Sequence, residues 1–307
     1  MPTLETYLGT ILWHYVPNMP LAIVFTILFC LVSVAHAWKM FVTKTWFCIP
    51  FLIGGIFEVI GYISRAAATN ATGSLIPYIF QAIFILLAPV CFAASLYMVY
   101  SRVVRAVHGD SFSLISPRWA TVVFVSGDWT CLNIQSSGSG LLVHPKQVAI
   151  GTYIIVAGLA LQVLMFVVFM FCCLNFNSRF RAHVAESGAT SDVPWQACLN
   201  MLYSTSLAIL VRNIYRVVEY IMGKDSYLQN TEWPTYVFDA ALMFLVMIGF
   251  FIWYPSQLRP TTRDSMIELT ADGESSAEHG RTVKPSMGLS IFPLFRIFKL
   301  LTSESDR

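Results

Sequence analysis

Polar residues recur at the spacing i, i+4, i+7 inside three apolar stretches of the chain. This spacing places the members of each set on one face of a helix. Ionisable side chains that face lipid are costly, so each set is predicted to face protein or a water-filled cavity. A polar interior of this kind is where the function is expected to reside. The three sets are Glu58–Tyr62–Arg65, Arg212–Arg216–Glu219 and Glu232–Tyr236–Asp239.

The composition indicates a membrane protein. Of 307 residues, 56% are hydrophobic and 12% are charged, whereas about 25% charged residues are typical of soluble domains. A helix needs roughly 20 apolar residues to span a bilayer. The fourth apolar run contains Asp128, Asn133 and Gln135, and a re-entrant segment is its alternative. We therefore expect an all-α membrane protein with seven transmembrane helices. The seven runs are Pro20–Trp38, Phe47–Ile63, Ile76–Tyr100, Trp119–Val143, Val148–Phe176, Ala197–Met222 and Pro234–Tyr254.

Loop charges set the predicted orientation. The first sixteen residues lack a basic segment, so the first run is predicted to remain in the membrane as a helix rather than be cleaved. If the N-terminus is outside, seven Lys and Arg lie in the short cytoplasmic loops and three in the outer loops. The positive-inside rule then predicts an extracellular N-terminus and a cytoplasmic C-terminus. The sequon Asn70-Ala71-Thr72 falls in an outer loop, which makes Asn70 a predicted glycosylation site.

Three regions follow from this topology. Residues 1–16 form the extracellular N-terminus, and residues 17–255 form the transmembrane domain. Residues 256–307 mix Pro, Ser, Thr, Gly and charge, and are expected to be a mostly disordered cytoplasmic tail. Within the tail, 289–301 is too short to span the bilayer and is predicted to lie on the inner leaflet as an interfacial segment. A loosely ordered apolar tail is the alternative, because Pro293 limits helix length.

The polar faces converge at one depth. At 1.5 Å per residue, Glu58, Arg216 and Asp239 lie about 7 to 10 Å below the outer ends of their helices. The acids, including Asp128, are therefore expected to meet the arginines there. One interpretation is an ion-pair network that locks the helices together. The other is a polar chamber, open to the outer leaflet, that holds a charged headgroup. The candidate substrate-binding residues are Glu58, Tyr62, Arg65, Gln81, Asp128, Gln135, Arg212, Arg216, Glu219, Tyr236 and Asp239.

Several catalytic and cofactor-binding classes are disfavoured. The chain has no GxSxG, HExxH or phosphate-binding glycine motif. His36 is the only histidine well inside an apolar run, so a three-histidine zinc site is not expected, and the cysteines are expected to serve packing. Retinal would need a lysine in the last run, which Pro234–Tyr254 lacks. We expect no enzyme activity, no cofactor, no metal and no nucleic-acid partner.

Two features are expected to bend helices. Pro89 lies in the middle of the third run and should kink that helix. The small-residue run Ser136–Gly140 follows Gln135 and could unwind the end of the fourth helix. Gly138 and Gly140 are the predicted bending points, because glycine tolerates backbone conformations that other residues resist.

An ordered set of motifs runs through residues 15 to 255. It comprises Tyr15-Val16-Pro17-Asn18, His36, Glu58–Arg65, Gln81, Ala88-Pro89, Gly127-Asp128, Gln135, Gly158-Leu159, Gln162, Arg212–Tyr220, Glu232, Tyr236 and Asp239. This set resembles the fungal RTA-like family, also described as lipid-translocating exporters. Serines interrupt the glycines after Gln135, and Trp129 and Cys131 also depart from the family pattern. The resemblance implies a seven-helix fungal protein of lipid movement or resistance to toxic lipids, with sphingoid long-chain bases, porphyrins or sterol-like compounds as cargo.

Three functional hypotheses follow. The leading one is a translocator or exporter of single-chain amphiphiles in the plasma membrane or an endomembrane. The second is a non-transporting sensor or receptor that signals through its basic inner loops and tail. The third is an intramembrane lipid-modifying enzyme, which the missing histidine ligands disfavour. No nucleotide-binding motif is present, so active transport would need an ion gradient or a partner transporter.

Overall fold

Long helices form along all seven of the predicted apolar runs. The computed structural model describes residues 6–7, 10–11, 15, 17–69, 72–141, 147–187, 195–223 and 226–255. Asn70, the tail 256–307 with its segment 289–301, and most of 1–16 lie outside these described residues. The long helices are α1 (Met19–Thr43), α2 (Ile49–Ala68), α3 (Leu75–Ala106), α4 (Pro117–Leu141), α5 (Val148–Ser187), α6 (Trp195–Met222) and α7 (Trp233–Ile252). Two-residue strands β1 (Thr6–Tyr7) and β2 (Thr10–Ile11) pair antiparallel before them.

Local sequence explains where α1 and α2 begin and end. The Asn18 side chain accepts a hydrogen bond from the Leu21 backbone N–H at 3.2 Å, which caps α1. Pro20 follows in the first turn, where its missing N–H leaves no intrahelical hydrogen bond unmade. Lys44 ends α1 in the left-handed region, with φ of 52°. Pro50 lies in the first turn of α2 in the same way.

Successive helices run in opposite directions. At one end of the bundle, hereafter the Asn18 end, the Asn18 N–H lies 2.9 Å from the Glu232 carboxylate just before α7. At the opposite end, the hydroxyls of Thr45 and Tyr254 are 2.8 Å apart. Each helix packs against its neighbour in sequence, α7 closes the ring against α1, and α3 also contacts α6. Residues 18 and 255 therefore lie at opposite ends of the bundle.

Five of these helices are long and apolar enough to cross a membrane, namely α1, α2 with the 3₁₀ turn before it, α3, α5 and α7. Large apolar side chains such as Leu31, Val34 and Ile76 are exposed on them, as expected of a surface in lipid. The chain is a multi-pass membrane protein. α4 and α6 fall outside the same criterion because polar and charged residues interrupt them.

Two exposed polar side chains of α4 bond back to carbonyls of the same helix. The Asn133 side-chain amide donates to the Trp129 carbonyl at 2.7 Å, and the Ser137 hydroxyl donates to the Asn133 carbonyl at 2.8 Å. The run Ser136–Gly140, expected to unwind, is therefore regular helix to Leu141. Unbroken helix of 25 residues is about 37 Å long, so the irregular backbone of a re-entrant segment is absent from 117–141.

α5 is the longest helix, with 40 residues. At 1.5 Å per residue it is about 60 Å long, roughly twice the hydrocarbon thickness of about 30 Å. Its final turns carry Arg179 and Arg181, both exposed. The buried Phe180 packs edge-on against Trp195 at the start of α6, with ring centroids 5.0 Å apart. The last eleven residues of α5 therefore continue past the apolar run as a polar extension.

Candidate functional site

The three polar faces meet at the Asn18 end, where the end of α2, the end of α6 and the start of α7 come together. We call this group the acid–arginine cluster. It comprises Glu58, Tyr62, Arg65, Arg212, Arg216, Glu219, Glu232, Tyr236 and Asp239. The prediction that the three sets face the protein interior agrees with the structure, since Glu58, Arg65, Arg212 and Asp239 are each 1% exposed.

Asp239 is the centre of the cluster. Its Oδ1 accepts from Arg212 Nε at 2.6 Å, and its Oδ2 accepts from Arg216 Nη2. The Arg216 guanidinium is 19% exposed and also donates to Glu219 at 3.1 Å. One carboxylate thus holds two arginines of the same α6 face. Such pairing is what makes buried ions tolerable in an apolar interior.

A π-helical turn presents Asp239. Residues Tyr236–Ala241 adopt this wider turn inside α7, between the helical residues Trp233–Thr235 and Leu242–Ile252. An extra residue in a turn changes the angular position of all that follow, by about 100° in a helix of 3.6 residues per turn. Single π turns of this kind are frequent at functional sites. The sequence spacing alone does not predict it.

Pro89 leaves a backbone carbonyl of α3 free to bind Arg212. Proline lacks an N–H, so it cannot donate to the carbonyl four residues earlier, which belongs to Ile85. Arg212 Nη2 donates to this Ile85 carbonyl at 3.1 Å. α3 remains one helix through Pro89. The carbonyl that Pro89 leaves free therefore connects α3 to α6 through its hydrogen bond with Arg212.

Arg65 closes the cluster towards the Asn18 end. Its Nη2 donates to Glu232 at 2.9 Å and to the Tyr15 hydroxyl at 2.8 Å. Its Nε donates to the Tyr236 hydroxyl at 3.1 Å. The guanidinium also lies 5.1 Å from the Tyr236 ring centroid, a cation–π distance. Sequence reasoning included Arg65 and Tyr236 but missed Tyr15, which the motif before α1 had singled out without a role.

Glu58 and Tyr62 are buried but unpartnered. Among the described residues, neither carboxylate oxygen of Glu58 has a hydrogen-bond partner, and the Tyr62 hydroxyl has none either. The charged groups around Glu58 are Asp239, Arg212 and Arg216. The Tyr62 ring lies 5.4 Å from that of Phe29 in a stacked arrangement. Glu58 is thus a fully enclosed carboxyl beside two arginines that another carboxylate already holds.

α4 contributes two separate polar pairs. The Tyr97 hydroxyl donates to Asp128 at 2.8 Å, and the Gln135 amide donates to Gln162 at 2.9 Å. The expectation that Asp128 meets the arginines differs from the structure, where Asp128 forms no ion pair among the described residues. The reason is topological, because α4 packs between α3 and α5 whereas the arginines lie on α2 and α6. Gln81 lies near the start of α3. Its side-chain oxygen is buried and has no hydrogen-bond partner among the described residues, neither in the acid–arginine cluster nor in the α4 pairs.

The cluster is largely enclosed. Its most exposed charged side chains are Arg216, Glu232 and Glu219, at 19%, 16% and 12%. One cavity of about 150 Å³ lies elsewhere, on the lipid-facing surface between α3 and α4. Its lining residues are Ile83, Leu86, Leu87, Trp129, Leu132, Asn133 and Ser136. In the described part of the chain, no three His, Cys, Asp or Glu residues are grouped so that they could hold a metal.

Comparison with known proteins places these features in a family. Residues 51–262 match the family described as RTA1 like protein. Protoporphyrin uptake protein 1 of Saccharomyces cerevisiae is 32% identical over 79% of this chain and 91% of its own length. Protein RTM1 of the same species is 32% identical over 72% of each chain. The sphingoid long-chain base transporter RSB1 is 24% identical over 78% of this chain and 72% of its own. No solved structure matches. The chain belongs to the RTA1-like protein family.

Proposed function

We propose that this protein moves single-chain amphiphiles with a cationic headgroup, such as sphingoid long-chain bases, across the plasma membrane. The observation that carries the proposal is Glu58, a buried carboxyl of α2 that has no hydrogen-bond partner among the described residues. Arg212 and Arg216 lie beside Glu58, but both are paired with Asp239, and neither donates a hydrogen bond to Glu58 among the described residues. An ammonium group is the ligand that such a carboxylate lacks. The relative named as a sphingoid long-chain base transporter supports the same cargo class.

The proposed topology has seven crossings, with the N-terminus outside. The alternating direction of α1 to α7 supports it, and so does the excess of Lys and Arg in the loops at the other end. α4 crosses although it is polar, because exposed side chains such as Asn133 bond back to its own carbonyls. Its buried Asp128 and Gln135 bond to neighbouring helices. α6 crosses because its arginines are paired. The acid–arginine cluster then lies in the outer half of the membrane.

Access to Glu58 requires the cluster to open. Arg65 lies seven residues further along α2, about 10 Å nearer the Asn18 end. Its bonds to Tyr15, Tyr236 and Glu232 tie α2 to the segments that precede α1 and α7. We assign Arg65 the role of a gate that separates Glu58 from the outer surface. The cavity between α3 and α4 lies in the same half of the bundle as the acid–arginine cluster. It offers an apolar surface for the hydrocarbon chain.

The mechanism needs no bond-making step, so we treat the protein as a carrier without enzyme activity. The headgroup exchanges its hydration for the Glu58 carboxylate, and the chain stays in an apolar environment throughout. Opposite unit charges about 4 Å apart attract each other by about 4 kcal/mol at an effective dielectric constant of about 20, and desolvation offsets part of this. Loss of this contact should therefore weaken binding of the cationic amphiphile by roughly 10- to 100-fold.

The test is reconstitution of the full chain into liposomes with a long-chain base labelled on its hydrocarbon chain. Wild-type protein should accelerate flipping of the free amine and should act weakly on the N-acetylated, uncharged analogue. Glu58→Gln should abolish that preference, whereas Glu186→Gln, the same change at an exposed carboxyl of α5, should retain it. Equal flipping with and without protein would overturn the proposal and favour the receptor hypothesis.

A further inference from the structure

The ionised groups of the acid–arginine cluster balance without Glu58. Arg65 pairs with Glu232, Arg212 with Asp239, and Arg216 with Asp239 and Glu219. Three arginines therefore face three carboxylates. Glu58 is a fourth acid in the same enclosed volume. An ionised Glu58 would leave the cluster with one uncompensated negative charge.

Such a charge is poorly tolerated where Glu58 lies. Its side chain is 1% exposed, and both of its oxygens lack hydrogen-bond partners among the described residues. An ionised carboxylate without hydrogen bonds or its own cation is far more costly to bury than the neutral acid. The neutral acid leaves the cluster with no net charge. The burial of Glu58, its missing hydrogen-bond partners and the charge balance of the cluster thus all favour a protonated Glu58 in this closed structure.

The charged neighbours of Glu58 come from α6 and α7, whereas α1, α2 and α3 contribute uncharged ones. α6 contributes Arg212 and Arg216, and α7 contributes Asp239. On α2 itself, Tyr62 lies one turn away, with its hydroxyl also unpartnered. α1 approaches α2 with the Ser33 hydroxyl near Gly55, and α3 approaches with Ile85 against Gly61. Among the described residues, α1 and α3 place no charged side chain against Glu58.

We propose that Glu58 holds a proton in the closed state and exchanges it for the cationic headgroup, so that the protein is a proton–amphiphile antiporter. This inference rests on the proposed transport of cationic amphiphiles. When the gate opens, the Glu58 O–H bond breaks, the proton passes to water, and the carboxylate binds the ammonium group. When the headgroup leaves on the other side, the carboxylate takes a proton from the water there. Each cycle moves one positive charge each way.

This exchange supplies the energy source that the chain otherwise lacks. No nucleotide-binding motif is present in the sequence. One-for-one exchange lets a pH difference across the membrane drive accumulation of the amphiphile on the acidic side. At equilibrium each pH unit supports about a tenfold concentration ratio, because one unit corresponds to a tenfold ratio in proton activity. Acid on the outer side would therefore drive export.

The resting proton is tested without transport. Infrared difference spectra of the full chain in liposomes at neutral pH should show the C=O stretch of a protonated carboxylic acid in wild type but not in Glu58→Gln. Glu186→Gln should leave this band in place. Thermal unfolding should be the same for wild type and Glu58→Gln, because the amide matches the neutral acid in shape and charge. Absence of a band that depends on Glu58 would overturn the resting proton.

The coupling is tested with a permanently charged probe. A long-chain base with a trimethylated nitrogen and a label on its chain cannot carry protons itself. Vesicles containing the full chain and a trapped pH-sensitive dye should show one proton leaving for each probe that enters. Glu58→Gln should lose the proton signal and the pH dependence of transport.

The two proposals fail differently in this assay. Probe movement without proton movement would overturn the antiport and leave the proposed transport standing. Absence of any probe movement by wild type would overturn the transport and the coupling together. In that case the infrared band still decides whether Glu58 holds a proton.

Discussion

Replacing Asp239 by asparagine removes the one carboxylate on which Arg212 and Arg216 converge. Arg216 keeps Glu219 at 3.1 Å. Among the described residues, Arg212 then keeps only neutral hydrogen-bond partners, namely the Ile85 carbonyl at 3.1 Å and the Asn213 side chain at 3.5 Å. Arg212 is 1% exposed and cannot turn towards water without unfolding the helix contacts around it. As long as Glu58 keeps its proton, Asp239→Asn therefore leaves a buried, uncompensated positive charge.

The expected loss is large because of that burial. Removing one partner of a buried ion pair costs about 3 to 5 kcal/mol of stability. Glu219→Gln is the matched control, since it removes a carboxylate from the same arginine network at a more accessible position. The Arg216 and Glu219 side chains are 19% and 12% exposed, so breaking their pair should cost less than breaking the fully buried Arg212–Asp239 pair. Asp239→Asn should thus lose clearly more stability than Glu219→Gln.

Reversible unfolding in mixed detergent micelles, followed by circular dichroism, measures both changes on one scale. A third variant isolates the cause. Arg212→Met combined with Asp239→Asn removes the unpaired charge and should be more stable than Asp239→Asn alone. Equal losses for Asp239→Asn and Glu219→Gln, or no recovery in the double variant, would refute the reasoning from burial.

Three further predictions concern helix contacts and topology. Pro89→Ala restores an N–H that competes with Arg212 for the Ile85 carbonyl of α3. Because Arg212 belongs to the acid–arginine cluster, amphiphile flipping should fall while protein abundance holds or rises. Unchanged flipping would contradict this. Gly61→Val should destabilise the protein by about 1 to 3 kcal/mol through overpacking, because a Cβ there lies 2.6 Å from an α3 side chain. Gly140→Val, with nothing within 4 Å of its Cβ, should change detergent unfolding little, and equal effects would refute the packing argument. A glycosidase should shift the mobility of wild type but not of Asn70→Gln, and a C-terminal tag accessible in intact cells would contradict the topology.

Much of the fold could be predicted because membrane helices are encoded locally. Run length and the spacing of polar residues predicted where α1 to α7 form and which faces of α2, α6 and α7 turn inward. The boundaries were less accurate where helices extend beyond the apolar segment. α5 continues to Ser187, eleven residues past the end of its apolar run.

The candidate site could be predicted only in part, because its geometry depends on contacts between helices. The shared depth of Glu58, Arg216 and Asp239 follows from the rise per residue. The position of Asp128 does not, since it depends on α4 packing away from α6. The role of Pro89 was also missed. Its missing N–H was evident in the sequence, but the arginine that uses the freed carbonyl lies 123 positions away along the chain.

The polar extension of α5 has a practical consequence for imaging. A small protein embedded in a detergent micelle offers few features outside the micelle for aligning particle images. Because α5 continues without interruption from its apolar segment to Ser187, a rigid helical fusion joined in phase after that residue would hold a fixed angle to the bundle. It would provide the asymmetric marker that electron cryomicroscopy needs, and through it both the closed and the amphiphile-loaded states could be visualised.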